Sequence, residues 1–204
     1  MVVTSLPSEF LALADIYHRN GFSLFMVGGT SRDFILGRFC RDFDFVTDAN
    51  PEEEKLFLPQ ADFTFSKFGT IKVKVNETVV DVATFRLEGE YSDYRHPKKI
   101  EFIRDKEKDS FRRDFTINAL YIDKDGNVFD FHGGLEDIEN KRIRFIGDPD
   151  IRIKEDPLRI IRAERFAKTL GFEIEPLSKE AIERNYALLD KLNPEKVKME
   201  RKKG

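Results

Sequence analysis

Two aspartates two residues apart, Asp42 and Asp44, follow closely on a glycine pair, Gly28-Gly29. On a strand, residues i and i+2 share a face, so both carboxylates project together while Phe43 and Phe45 turn into the core. Adjacent carboxylates repel unless a cation sits between them. A hard divalent ion such as Mg²⁺ takes their oxygens together with those of a triphosphate. Gly28 and Gly29, at a strand end leading into a helix, leave backbone N–H groups open to the same phosphates, and Arg32, next to Asp33, adds charge-assisted bonds. Two-metal phosphoryl transfer calls for a third carboxylate. Asp81, set among Val79, Val80, Val82 and Ala83, is costly to bury without a partner and is the candidate.

Two further constellations carry charge in useful patterns. In Arg112-Arg113-Asp114-Phe115-Thr116-Ile117-Asn118-Ala119, Arg113 suits a phosphate, while Asp114 and Asn118 offer acceptor and amide groups for ribose hydroxyls. The same string also reads as a charged helix start capped by Asp114. Farther on, Asp156, Arg159, Arg162 and Arg165 recur at three-residue intervals, a single drifting stripe if one helix carries them all. An acidic acceptor beside a guanidinium fork matches a base edge with an amino donor and a ring-nitrogen acceptor. Cytosine and adenine present that pair; guanine and uracil do not. A surface ion-pair ladder is the alternative.

The surrounding pattern must hold these groups in place. Leu6 to Arg19 has helical apolar spacing and stops at Asn20-Gly21, and Phe22 to Val27 reads as a buried strand running into the glycines. Ser31 to Leu36 reads as a helix ended by Gly37, and Asp42 to Val46 as a strand, followed by Asn50 capping a helix with Pro51 at its first position. Residues 62–66, 70–75 and 78–84 read as strands joined by turns at Phe68-Gly69 and Asn76-Glu77. Leu87 to Pro97 is polar and aperiodic and reads as a loop. Short strands follow around Tyr121 and Val128, with turns at Asp125-Gly126-Asn127 and Gly133-Gly134. Beyond Asp148-Pro149 one long helix is expected to about Leu170 and another from about Ser178, which places a boundary near residue 147.

A chain of 204 residues can bury one core, or one core with an appendage. Its 40% hydrophobic and 36% charged content is that of a globular protein, and twenty phenylalanines without tryptophan point to a Phe-filled core. One cysteine, Cys40, excludes an internal disulfide framework and a cysteine zinc site, and suits a reducing compartment. No run approaches the roughly 20 apolar residues that cross a bilayer, so the expectation is a cytoplasmic protein with no membrane partner. The net charge is −3, but residues 141–204 carry 17 Lys+Arg against 12 Asp+Glu and residues 1–140 carry 18 against 26. The basic surplus is C-terminal, where a phosphate backbone could be met.

Gly28-Gly29 with Arg32-Asp33 and Asp42-Phe43-Asp44, then Asp81 to Arg86, Tyr91 to Pro97, Arg112 to Ala119 and Glu155 to Arg159, stand in an order that resembles one family. It is that of the class II tRNA nucleotidyltransferases, the bacterial-type CCA-adding enzymes and their poly(A) polymerase relatives. The resemblance covers nearly the whole chain. It implies an α+β fold, a polymerase-beta-type nucleotidyltransferase head with a mixed, mainly antiparallel sheet over residues 1–147 and an all-α neck over 148–204. It further implies that Asp42 and Asp44 ligate Mg²⁺ with Asp81 as third carboxylate, and that Gly29, Arg32 and Arg113 hold triphosphate and sugar. Asp156, Arg159, Arg162 and Arg165 would select ATP or CTP, and the segment from Arg86 to Pro97 would take part in the switch from C to A addition.

The implied activity is transfer of CMP and AMP from CTP and ATP to the 3′ end of tRNA without a template. Poly(A) addition, or addition of CC or A alone, shares every catalytic motif; from another class, the chain could be a non-catalytic RNA-binding piece of a split assembly. Thr30-Ser31 stands where the family more often has small apolar residues or Val. The chain also stops inside the expected neck, whereas family members continue into body and tail domains that grip tRNA. A second chain or further C-terminal domains are therefore expected to supply that grip.

Overall fold

The computed structural model describes residues 1–40, 43–89 and 99–203. By contact density the chain forms two compact units: one of Met1–Leu87, Ile100–Ser110 and Asn118–Phe131, the other of Glu88–Lys99, Phe111–Ile117 and His132–Gly204.

The first unit is a six-stranded sheet with helices. Its elements are α1 (Ser8–Arg19), β1 (Leu24–Met26), α2 (Gly28–Ile35), β2 (Asp44–Thr47), α3 (Pro51–Phe57), β3 (Thr70–Val75), β4 (Thr78–Thr84), then β7 (Leu120–Ile122) and β8 (Val128–Asp130). Between these last two groups lie the short pair β5 (Arg86–Glu88) and β6 (Ile100–Phe102) and the turn of helix α4 (Lys106–Ser110). The sheet order is β3-β4-β2-β1-β7-β8, with β2 and β4 parallel and the other pairings antiparallel, the mixed, mainly antiparallel arrangement expected. Alternation along the strands sorts their side chains between two apolar layers. Phe45, Ile71, Val73, Val80 and Val82 pack with Phe10, Leu13 and Tyr17 of α1, while Phe25, Val27, Val46, Phe85 and Tyr121 form a second cluster.

Several local expectations hold for stated reasons. Asn50 accepts from the amides of Glu52 and Glu53 while the Glu53 carboxylate accepts from the Asn50 amide, a complete capping box with Pro51 behind it. Asn76, at φ +53°, makes the tight turn between β3 and β4. Others are corrected. Residues 62–66 form no strand: the Asp62 carboxylate takes the Thr64 amide and hydroxyl, diverting the chain into a turn and a single 3₁₀ turn at Ser66–Phe68. The helix after β1 starts at Gly28 itself, earlier than Ser31. Leu87 and Glu88 belong to a strand, and residues 90–97 of the expected loop lie outside the described residues. The phenylalanines divide: Phe10, Phe45, Phe85, Phe115 and Phe145 are buried, but Phe39, Phe65, Phe68, Phe102 and Phe111 are exposed.

The second unit contains α5 (Gly134–Glu139), β9 (Arg142–Ile143), α6 (Pro149–Glu155), α7 (Leu158–Leu170), β10 (Glu173–Ile174), α8 (Pro176–Asn185) and α9 (Pro194–Arg201). The single long helix expected after Pro149 is two helices. Pro157 cannot donate to the ladder and drives its predecessor out of the helical region, so Asp156 is extended at φ −147° and ends α6. The rings of Phe115, Phe145 and Phe166 pack together here, centroids 4.8 and 5.7 Å from Phe115. No helix among the described residues is long and apolar enough to cross a membrane.

One buried polar contact ties α1 to α3. Tyr17 donates its hydroxyl to Glu54, which is 1% exposed. Burial pushes the Glu54 carboxyl up to about 7, against the bond from Tyr17, which favours the ionised form, and with some help from Glu53. The folded protein therefore holds a proton that the unfolded chain releases near 4.5. Stability from this group is complete below that value and is lost as pH rises through 7, on the order of 3 kcal/mol in all. Glu54→Gln, which preserves a partner for Tyr17, is expected to flatten this fall. Urea midpoints at about pH 5 and about pH 8 decide the matter: parallel curves for Glu54→Gln and the parent would contradict it.

Candidate active site

The parallel register of β2 on β4 sets Asp44 directly beside Asp81. In the antiparallel register of β3 on β4, Lys72 lies opposite Asp81, and its ammonium reaches the Asp81 carboxylate at 2.5 Å. Asp44, Asp81 and Lys72 thus form one row across three strands, on the layer that holds Val46 and Ala83. The hydrogen bond from Lys72 to Asp81 raises the lysine pKa, partial burial opposes the rise, and the charges of Asp81, Asp62 and Asp44 add to it. Lys72 was not foreseen as a site residue. The signal was present: the two-residue turn pairing Val75 with Thr78 fixes Lys72 opposite Asp81 by counting back along the hairpin.

Asp44 is held from its own N-terminal side. Its amide donates to the Thr30 hydroxyl at 2.8 Å, and its carbonyl accepts from the Val27 amide at 3.1 Å. Gly28 stands at φ +68°, and a Cβ built there would meet Asp44 Oδ2 at 3.3 Å. The glycine therefore answers two demands at once, a left-handed backbone and close approach to a carboxylate. Arg32 lies on α2 with 6% exposure, its Nε 2.8 Å from Asp33 Oδ1 and its Nη1 2.8 Å from Asn118 Oδ1. The first unit thus gathers Gly28, Gly29, Arg32, Asp33, Asp44, Asp81 and Asn118. Asp42 lies outside the described residues.

Arg113, Asp114, Asp156, Arg159, Arg162 and Arg165 belong to the second unit. The break at Pro157 takes Asp156 off the helix that carries the three arginines, so the four do not form one helical stripe. Asp156 instead lies between α6 and α7, where its Oδ1 accepts from the Leu158 amide at 3.1 Å and its Oδ2 pairs with Arg162. Arg162 lies between Asp156 and Asp114, with Asp114 Oδ2 at 3.6 Å. Burial works against its charge, but Asp114, Asp156 and Glu200 more than offset that and raise its pKa. Arg165 pairs with Glu200 at 3.1 Å and lies over the Phe166 ring at 4.4 Å. Arg159, 4% exposed, turns back to Glu155 and to the Arg152 carbonyl, neither of which was foreseen as a site residue. The Nε groups of Arg159, Arg162 and Arg165 are buried without a hydrogen-bond partner among the described residues, so each fork has a donor in hand.

Hard oxygen donors side by side on an accessible sheet face suit a divalent cation. Among the described residues no three His, Cys, Asp or Glu side chains converge as a metal cluster; Asp44 and Asp81 stand there as a pair. A sheet with paired aspartates on adjacent parallel strands, behind a glycine-started helix, defines a polymerase-beta-type nucleotidyltransferase head. Residues 24–144 match the poly A polymerase head domain model, and the chain belongs to that family. Nucleotidyltransferases of this kind generally work with a divalent metal.

Among related proteins, the CCA-adding enzyme of Leuconostoc citreum (strain KM20) is 39% identical over 203 residues, 98% of this chain and 50% of that protein. The CCA-adding enzyme of Bacillus pumilus (strain SAFR-032) is 43% identical over 187 residues, 91% and 46% of the two chains. The crystal structure of Bacillus stearothermophilus CCA-adding enzyme in complex with CTP superposes with a TM-score of 0.87 at 35% identity, covering 96% of this chain and 48% of that one. A tRNA nucleotidyltransferase complexed with a primer tRNA and an incoming ATP analog gives 0.74 at 30% identity, covering 92% and 54%. The chain spans about half the length of the curated relatives it matches.

Gly28 and Gly37 share a left-handed backbone, but a Cβ at Gly37 meets nothing within 4 Å. Alanine at either site is expected to lower stability by about 1 to 2 kcal/mol. Only Gly28→Ala should also push the Asp44 carboxylate aside by a few tenths of an ångström, and so slow any nucleotidyl transfer that depends on it. Thermal melts and activity of the two variants side by side check this, and a fully active Gly28→Ala would refute the assigned contact.

Proposed function

We propose that this chain performs the chemistry of a CCA-adding enzyme, moving CMP and AMP from CTP and ATP to the 3′ end of tRNA without a nucleic-acid template. The observation that carries the reading is the register that sets Asp44 beside Asp81 behind Gly28. Relatives named CCA-adding enzyme, at 39% and 43% identity, support it. In this reading residues 1–147 are the catalytic head and 148–204 a nucleotide-selecting neck, with further domains or a partner chain gripping the tRNA. The setting is the cytoplasm, in keeping with a single cysteine.

Asp42 and Asp44 would hold Mg²⁺, with Asp81 completing the carboxylate set. When bound, the ion supplies Lewis-acid stabilisation of the phosphoryl oxygens. The 3′-hydroxyl oxygen of the RNA bonds to the α-phosphorus as the bond from that phosphorus to the bridging oxygen breaks. Pyrophosphate leaves and the hydroxyl proton passes to solvent. Gly28 and Gly29 present backbone amides toward the triphosphate, and Arg32 is aimed by Asp33 and Asn118. Arg113 and Asp114 take phosphate and sugar, while Asp156, Arg159, Arg162 and Arg165 read the cytosine or adenine edge.

A second reading, poly(A) addition, rests on the match of residues 24–144 to the poly A polymerase head domain. Incubation with tRNA lacking its CCA end and each labelled nucleotide separates the two: two C and one A are expected, whereas a long A tract would replace the first reading with the second. Incorporation of neither, by this chain and by a C-terminally extended form, overturns both. Asp44→Ala is expected to reduce incorporation roughly a hundredfold or more with the fold intact. Arg159→Ala is expected to let GTP and UTP compete. Parent-like rates in Asp44→Ala would refute the assigned role.

A further inference from the structure

Arg152 is a buried arginine to which no nucleotide-handling role has so far been given. It lies on α6 at 9% exposure, and its contacts join two stretches 40 residues apart in sequence. Nη2 donates to the carbonyl of Arg112 at 2.6 Å and to that of Arg113 at 2.9 Å. Nη1 donates to Glu155 Oε2, and the same oxygen accepts from Arg159 Nη1 at 2.7 Å. Arg159 Nη1 also donates to the Arg152 carbonyl at 2.6 Å. Arg112, in turn, has its guanidinium 3.7 Å from Glu88. The backbone that aims Arg113 and the side chain of Arg159 are therefore fixed by one guanidinium and one carboxylate.

A forked guanidinium that spans two successive carbonyls and a carboxylate sets distance as well as direction, which an ammonium on a flexible stem does not. A charge-only role would leave these bonds scattered over solvent. Here they converge on the two segments to which triphosphate and base contacts are assigned. From this we infer that Arg152, with Glu155, is a positioning residue that holds the triphosphate-binding segment at Arg113 in register with the base-selecting Arg159. The inference rests on the proposed function of those two residues. Its consequence is that base choice and triphosphate placement are coupled: loosening Arg152 costs selectivity between nucleotides as well as affinity.

The test uses the full chain, with binding of CTP, ATP, GTP and UTP measured by calorimetry and folding checked by thermal melts. Arg152→Met, close in length but without donors, is expected to weaken CTP and ATP about tenfold and to narrow their advantage over GTP and UTP. Glu155→Gln is expected to do the same, and the double variant to add little beyond either single change, as members of one network do. Should Arg152→Met fail to fold, Arg152→Lys carries the test, since it keeps the charge but loses the fork. A parent chain that binds CTP and ATP selectively, with variants equally selective, overturns the inference alone. A parent that shows no preference among the four nucleotides overturns the proposed function and this inference with it.

Discussion

The first unit is organised around a repulsion that its sheet imposes. Pairing β2 parallel to β4 forces Asp44 and Asp81 onto neighbouring strands about 4.8 Å apart, on one face. Two full charges at that spacing near a protein surface oppose each other by up to about 3 kcal/mol. Lys72 meets part of that cost from the far side of Asp81. Asp44 has its backbone fixed by Thr30 and Val27 and its flank kept clear by the missing side chain of Gly28. The apolar residues between these strands, Phe45, Val80 and Val82, are packed well enough to keep the register from slipping. A slip by one residue would send the aspartates into the core, so the packing and the charge row specify each other.

The second unit solves a different electrostatic problem. Four arginines, Arg152, Arg159, Arg162 and Arg165, lie along α6 and α7, and burial works against the charge of Arg162. Glu155, Asp156, Asp114 and Glu200 are interleaved with them so that each guanidinium has an acidic neighbour. The result is a set of forks held in defined directions, which is what reading a base edge requires.

Much of this was legible in the sequence, and the failures have physical reasons. The hairpin of β3 and β4 follows from alternation and a tight turn, and the α3 cap from Asn50, Pro51 and Glu53. The partnership of Asp44 with Asp81 is a non-local parallel register, invisible to local periodicity although both residues were singled out. Asp62 defeated the strand expected at 62–66 because its side chain competes with the ladder for the Thr64 amide. The break before Pro157 was readable from the proline itself, but the regular spacing of the arginines argued for continuity and masked it. Glu54 and Tyr17 lie on separate helices, 37 residues apart in sequence, and only the packing of α1 on α3 brings them into contact.

Whether a divalent cation and a nucleoside triphosphate meet at the Asp44 row is read by Mn²⁺ binding followed by magnetic resonance, with and without CTP, in the parent chain and in Asp44→Asn. CTP is expected to tighten Mn²⁺ binding in the parent, and Asp44→Asn to abolish this cooperation while the fold persists. Equal, CTP-enhanced Mn²⁺ affinity in both proteins would contradict it.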